Sequence, residues 1–190
     1  MSNAIHDHPL LSAPIGKTMF KLGIPNSVAM ILTMMTSFVE AYFVGQHGVI
    51  PLAGLALVFP MFMMMNMLSA GAVGGAIAGL MARYAGSGDV KGAEAIAFHA
   101  VLVALGLSVL FAAIFLLGGR QIFTLLGARE AVLSQALSYS QIFFTGVVVI
   151  WLANTMGSIL RGLGEMQATA AWTILAAFVQ ASTAAILISG

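Results

Sequence analysis

The chain has 190 residues, of which 61% are hydrophobic and 7% charged, and its mean hydropathy is +1.04. A soluble domain carries about a quarter charged residues, so this composition excludes a water-exposed globule, and a net charge of +1 argues against nucleic acid as a partner. Cysteine is absent, which removes any disulfide framework or thiolate metal site.

Apolar runs recur at roughly the 20 residues that a bilayer crossing needs. They show no ten-residue alternation of the kind a membrane β-barrel requires; VLVALGLSVLFAAIFLL (101–117) is an unbroken block. The expected class is an all-α integral membrane protein, because an isolated helix satisfies its own backbone in lipid. Residues 1–21 read as a cytoplasmic N-terminal segment. They are too polar for a cleavable signal peptide, so the first apolar run is expected to stay in the mature chain.

The first predicted span covers about 22–45 and holds the sequence TSFVEAYFVG at 36–45. Glu40 is the only charge inside any predicted span. An ionised carboxylate at a helix centre costs about 2.5–3.5 kcal/mol on insertion scales, so such residues tend to face a wet cavity or a partner. At about 100° per residue, Asn26, Thr33, Ser37 and Glu40 fall within one ~60° sector of the helix, which favours a polar lining. The alternative is a carboxylate solvated at headgroup level, because Gly45 lies only a few positions on. Inside a cavity, desolvation raises the affinity of a carboxylate for protons, while a bound cation stabilises the charged form. One group can then take up a proton or a sodium ion and release it when access to solvent changes. That is what a cation-coupling site requires, and the residue itself does not choose between the two ions.

The second span, about 51–81, exceeds the ~30 Å hydrocarbon core and is expected to tilt or project. Pro60 within it predicts a kink. It contains Asn66, followed by Ser69, and the glycine series Gly71, Gly75 and Gly79 at spacings of four, which predicts a helix-packing ridge without a substrate role. The methionine cluster MFMMMNM (61–67) reads mainly as packing or lipid contact.

A third span is expected at about 95–117 and a fourth at about 133–156, with Ser134, Ser138, Gln141 and Thr145 on one face and Asn154 near its end. The fifth, about 167–189, aligns Thr169, Thr173, Gln180 and Thr183. The single hydroxyls read mainly as hydrogen-bonding glue between helices. The larger amides Asn66, Gln141, Asn154 and Gln180 cost more to leave unpaired, and stand equally as glue or as lining of a substrate path. Lys17, Lys21, Arg83, Lys91 and Arg161 fall in the N-terminus and in loops two and four; only Arg120 and Arg129 fall in loop three. The positive-inside rule therefore predicts a cytoplasmic N-terminus. The last apolar run reaches residue 190 without a polar flank, which reads as a chain cut within a longer transporter. Metalloprotease, phosphate-loop and nucleophile-elbow motifs are absent from the sequence, so no enzymatic role, metal or cofactor is expected.

Four stretches together resemble the multidrug and toxic compound extrusion (MATE) transporters: KLGIPNSVAMIL (21–32), with its early Pro25; VEAYFVGQHGVIPLAGLAL (39–57), an acid-x4-Gly-x2-Gly pattern leading into Leu-Ala-Gly; GGAIAGLMARYAGSGDVKGAEA (74–95), with a Gly-x-Gly-Asp loop; and ILRGLGEMQ (159–167), an Arg-Gly-x-Gly-acid loop. The sequence departs from the family in having Glu40 and Glu165 where aspartate is common, and no second acid in helix five. The resemblance implies twelve helices in two six-helix lobes, of which residues 22–190 would supply helices one to five of the N-terminal lobe. It implies alternating-access export of cationic or amphipathic organic compounds across the plasma (inner) membrane, against an inward flow of protons or sodium. Glu40 would be the coupling acid, and Asn26, Thr33, Ser37, Asn66, Gln141, Asn154 and Gln180 candidates for the cavity lining. The implied partners are membrane lipids, small organic substrates and a C-terminal lobe. Two other readings are a lipid-linked precursor flippase of the wider superfamily, disfavoured because the predicted spans hold no cationic residues for pyrophosphate, and a non-transporting helical subunit that docks through Gly71, Gly75 and Gly79.

Overall fold

The computed structural model describes residues 15–166, 168–175 and 178, with only some of the side chains of the first helix among them. In chain order the elements are α1 (Ile15–Gln46), α2 (Val49–Asn66), a π-helical stretch (Met67–Val73), α3 (Gly74–Ser87), α4 (Val90–Leu125), α5 (Glu130–Thr145) and α6 (Val147–Gly162). Residues 168–175 are helical as well, and no strand occurs among the described residues.

Val49–Ser87 is long and apolar enough to cross a membrane, as is Val90–Leu125, and α5 with α6 makes a third such unit if the 48° bend between them lies within one span. These helices overrun the apolar segments 51–81, 95–117 and 133–156, because the polar loops begin only where a backbone signal stops the helix. After α3, Gly88 takes the left-handed conformation (φ +72°), and the side chain of Asp89 then accepts from the Gly92 amide at 3.0 Å to start α4. After α6, Gly164 (φ +83°) closes the helix, with the Glu165 amide donating to the Leu160 carbonyl at 2.9 Å. A side chain at a left-handed position costs about 1–2 kcal/mol, which is why glycine occupies both. The Gly-x-Gly-Asp and Arg-Gly-x-Gly loops are thus helix stop signals.

Pro60 lies inside α2. The departure from α geometry comes seven residues later, where the ladder changes to i→i+5 bonding over Met67–Val73.

The fourth segment runs parallel to the second along its whole length. Gly54 meets Gln135 and Ala136, the ring of Phe62 meets that of Phe143 at 4.5 Å, Asn66 meets Asn154, Gly74 meets Ser158, and Gly162 meets Ala78 and Met81. The α3–α4 loop and the loop after α6 therefore open at the same end of the bundle. The third segment, α4, runs antiparallel to the fourth: Phe111 packs on Trp151 at 5.9 Å, Phe115 stacks on Phe144 at 4.0 Å and 5°, and Gly119 lies beside Leu137 and Ser140.

The core is built from these facing positions, with Met65, Ala104, Phe123, Ala136, Phe144, Val147 and Trp151 fully buried. The outer faces are apolar too. Leu117 is 82% exposed and Leu125 88%, an arrangement that water disfavours and that lipid accommodates.

The second and fourth segments come into close contact at Gly54, Gly74 and Gly162. A Cβ at Gly54 would lie 2.7 Å from Gln135 Cβ, one at Gly74 2.5 Å from Ser158 Oγ, and one at Gly162 2.6 Å from the Ala78 carbonyl oxygen. The expected ridge behaves differently. Gly71, Gly75 and Gly79 are exposed, and a Cβ at any of them would meet nothing within 4 Å among the described residues. The spacing of four picked one face of the helix, but the face that packs is displaced by a residue.

Candidate functional site

A hydrogen-bonded polar cluster between helices forms where α2 gives way to the π-helical stretch. Asn154 of α6 donates from Nδ2 to Asn66 Oδ1 at 3.0 Å and to Ser69 Oγ at 3.1 Å. Ser69 is buried, and the two asparagines are partly buried. Both amide protons of Asn154 are thereby engaged, and so is one oxygen of Asn66. Among the described residues the remaining groups, Asn154 Oδ1 and Asn66 Nδ2, make no hydrogen bond. The pair thus presents one acceptor and one donor side by side. π-Helical turns occur frequently at functional sites because they open the backbone and re-aim side chains. Here the turn starts on the residue after Asn66.

From Asn154 the polar chain continues down α6. Ser158 Oγ donates to the Asn154 carbonyl at 2.8 Å, and Arg161 Nη2 donates to Ser158 Oγ at 2.7 Å. Asn154, Ser158 and Arg161 are spaced i, i+4, i+7 and share one stripe of the helix. Sequence reasoning singled out Asn66 and Asn154, and the fold joins them. It missed Ser158, and it treated Arg161 only as a topological charge.

The fourth-segment stripe has another character. Ser134, Ser138, Gln141 and Thr145 are all exposed on α5, opposite the buried Ala136, Ser140 and Phe144. Ser138 donates to the Ser134 carbonyl at 3.1 Å and Thr145 to that of Gln141 at 2.6 Å, so these hydroxyls bond within their own helix instead of gluing two helices. Thr169 and Thr173 do the same, to Glu165 and Thr169. Gln141 is exposed on the same stripe and makes no bond to the Asn66–Asn154 pair.

On α1, Ser37 is half-buried. Glu40 sits within the helix, six residues before its end. The side chains of Glu40, Asn26 and Thr33 lie outside the described residues, as does Gln180 altogether. A hollow of about 210 Å³, lined by Phe43, Val44, His47 and Tyr139, opens between the end of α1 and α5. Within it His47 Nδ1 lies 3.0 Å from the Phe43 carbonyl oxygen.

Long apolar helices with exposed oily faces, joined by a partly buried amide pair, define an α-helical integral membrane protein. The chain belongs to the MatE family, whose profile matches residues 25–186. It is 28% identical over 186 residues to a Shewanella oneidensis protein named FAD transporter, covering 96% of this chain and 40% of that relative. Among solved structures, the outward-facing conformation of a multidrug resistance MATE family transporter of the MOP superfamily superposes with a TM-score of 0.86 at 27% identity, over 95% of this chain and 40% of that one. A MOP superfamily transporter from Pyrococcus furiosus, described by a reverse polarity of its binding pocket, gives 0.82 at 25% identity, over 95% and 43%. The chain thus spans about two fifths of the length of these relatives, a share that fits the N-terminal lobe of such a transporter.

Proposed function

We propose that this chain forms the cavity-lining N-terminal lobe of a proton- or sodium-coupled antiporter that exports cationic or amphipathic organic compounds by alternating access. Membership of a transporter family supports the transport role, and the observation that carries the site is the Asn66–Ser69–Asn154 cluster. Neutral amides arranged as a donor beside an acceptor can hold the polar groups of many compounds without demanding one charge, which suits a binding surface of broad specificity. Glu40 would supply coupling, as the one acid in the first apolar span. Alternating access follows the logic of repeated lobes that rock about a site at mid-membrane.

A second reading rests on the relative named FAD transporter: the substrate is an anionic, amphipathic nucleotide cofactor. The amide pair accommodates it equally, since amides hydrogen-bond the edges of flavin or adenine rings.

The test is efflux from everted vesicles carrying the complete transporter, with a cationic dye and FAD as alternative probes. Glu40→Gln is expected to abolish gradient-driven efflux while the protein remains in the membrane at wild-type level. Undiminished efflux in that variant would remove the coupling role, and preference for FAD over the dye would decide for the second reading.

A further inference from the structure

We propose that Arg161 is a positioning residue for the Asn154 amide, acting through the hydroxyl of Ser158; this rests on the reading that Asn154 lines the transport path. A guanidinium only donates hydrogen bonds. With Arg161 Nη2 at 2.7 Å from Ser158 Oγ, that oxygen is the acceptor, and its own proton must point elsewhere. It points to the main-chain carbonyl of Asn154, 2.8 Å away. A helical serine without such a neighbour chooses among rotamers and between preceding carbonyls. Arg161 removes that choice.

Ser158 has no freedom to move aside. It is fully buried, and the backbone of α3 presses on it: a Cβ at Gly74 would come within 2.5 Å of its Oγ and 3.0 Å of the Ser69 carbonyl oxygen. Ser69 is the residue whose hydroxyl accepts from Asn154. The two ends of the cluster therefore converge on the crossing at Gly74. A fixed carbonyl at Asn154 fixes the backbone from which its side chain departs toward Asn66 and Ser69.

The guanidinium is itself confined. It folds back along its own helix over Gly157, whose missing Cβ would lie 3.4 Å from Nη1 and 3.8 Å from the methyl group of Thr169 on the following helix. Thr169 is buried. Arg161 thus joins the loop after α6, the start of the next helix and the amide pair, and the linkage makes the geometry of the pair sensitive to movement of that loop.

The experiment follows the side-chain amide protons of Asn154 by NMR in the complete transporter, ¹⁵N-labelled at asparagine in nanodiscs and assigned with an Asn154→Asp variant. Arg161→Gln and Ser158→Ala are each expected to speed their exchange with water about tenfold, the order expected from losing a bond to a charged group. Arg161→Lys, which keeps a cationic donor, is expected to stay within about twofold of wild type. Exchange unchanged in both Arg161→Gln and Ser158→Ala overturns the proposal; should Arg161→Gln fail to fold, Ser158→Ala decides alone. A second arm measures dye efflux. Arg161→Gln is expected to raise the apparent KM, and to add nothing when Asn154 is already alanine; simple additivity counts against the linkage. A wild-type protein that moves no probe refutes the transport reading, and the exchange measurement then still decides the role of Arg161.

Discussion

Gly74 and Ser158 meet so closely that a single methyl group on the glycine would come within 2.5 Å of the serine oxygen, with the Ser69 carbonyl 3.0 Å away on another side. Backbone lies on one side of that contact, so it cannot relax cheaply. Gly74→Ala is expected to lower stability by about 1–3 kcal/mol, the usual range for overpacking a tight contact. Gly75→Ala, with nothing within 4 Å among the described residues, is the matched control and is expected to be neutral or slightly stabilising, by up to ~1 kcal/mol from helix propensity. Thermal unfolding of the two purified variants in one detergent checks both.

The stack of Phe115 on Phe144, at 4.0 Å and nearly parallel, joins the antiparallel third and fourth segments. Phe144 is fully buried. Phe144→Ala is expected to cost about 3–5 kcal/mol, whereas Ile142→Ala, two residues away and 78% exposed, is expected to change little in detergent. The same melting experiment separates them.

Removing the Asn154 side chain leaves Asn66 Oδ1 and Ser69 Oγ without their donor. Asn154→Ala is expected to destabilise by about 1–3 kcal/mol, the cost of stranding partly buried acceptors, and on the proposed function to weaken efflux. Asn154→Leu, of similar volume but without polar atoms, is expected to be no better. Retained wild-type stability and efflux in both variants would dismiss the amide pair as a working element.

Gly164 follows α6 at φ +83°, and a Cβ there would meet nothing within 4 Å among the described residues. Its constraint is purely conformational. Gly164→Ala is expected to cost about 1–2 kcal/mol, and Gly164→Asn less, since asparagine visits the left-handed region more readily. Alanine and asparagine variants melting together with wild type would contradict that account.

Much of this was legible before any coordinates. Where residues are described, the apolar runs fall within helices, because a lipid-facing helix must be oily all round and a loop must not be. Asn66 and Asn154 stood out because an unpaired amide in such surroundings is costly, and they turn out to be paired with each other. What periodicity does not carry is orientation between helices. Gly71, Gly75 and Gly79 satisfy a packing pattern as well as Gly74 does, and only the position of the fourth segment decides which face is used. The α5 stripe of Ser134, Ser138, Gln141 and Thr145 was correctly periodic, yet nothing in its spacing says that it points outward. Arg161 was read as a positive charge at a loop, since charge patterning reports topology and not the hydroxyl that a guanidinium will find one turn away.

The π-helical stretch Met67–Val73 gives the long second segment a place to absorb a surplus residue. Downstream of it, Gly74 and Ala78 keep their seats against Ser158 and Gly162; upstream, Gly54 keeps its seat against Ala136. A one-residue deletion elsewhere in this helix would turn one half of the rod by about 100° against the other, whereas one within those seven positions restores an ordinary ladder. Insertions and losses in this helix can therefore be tolerated at one point only, and that point adjoins Asn66.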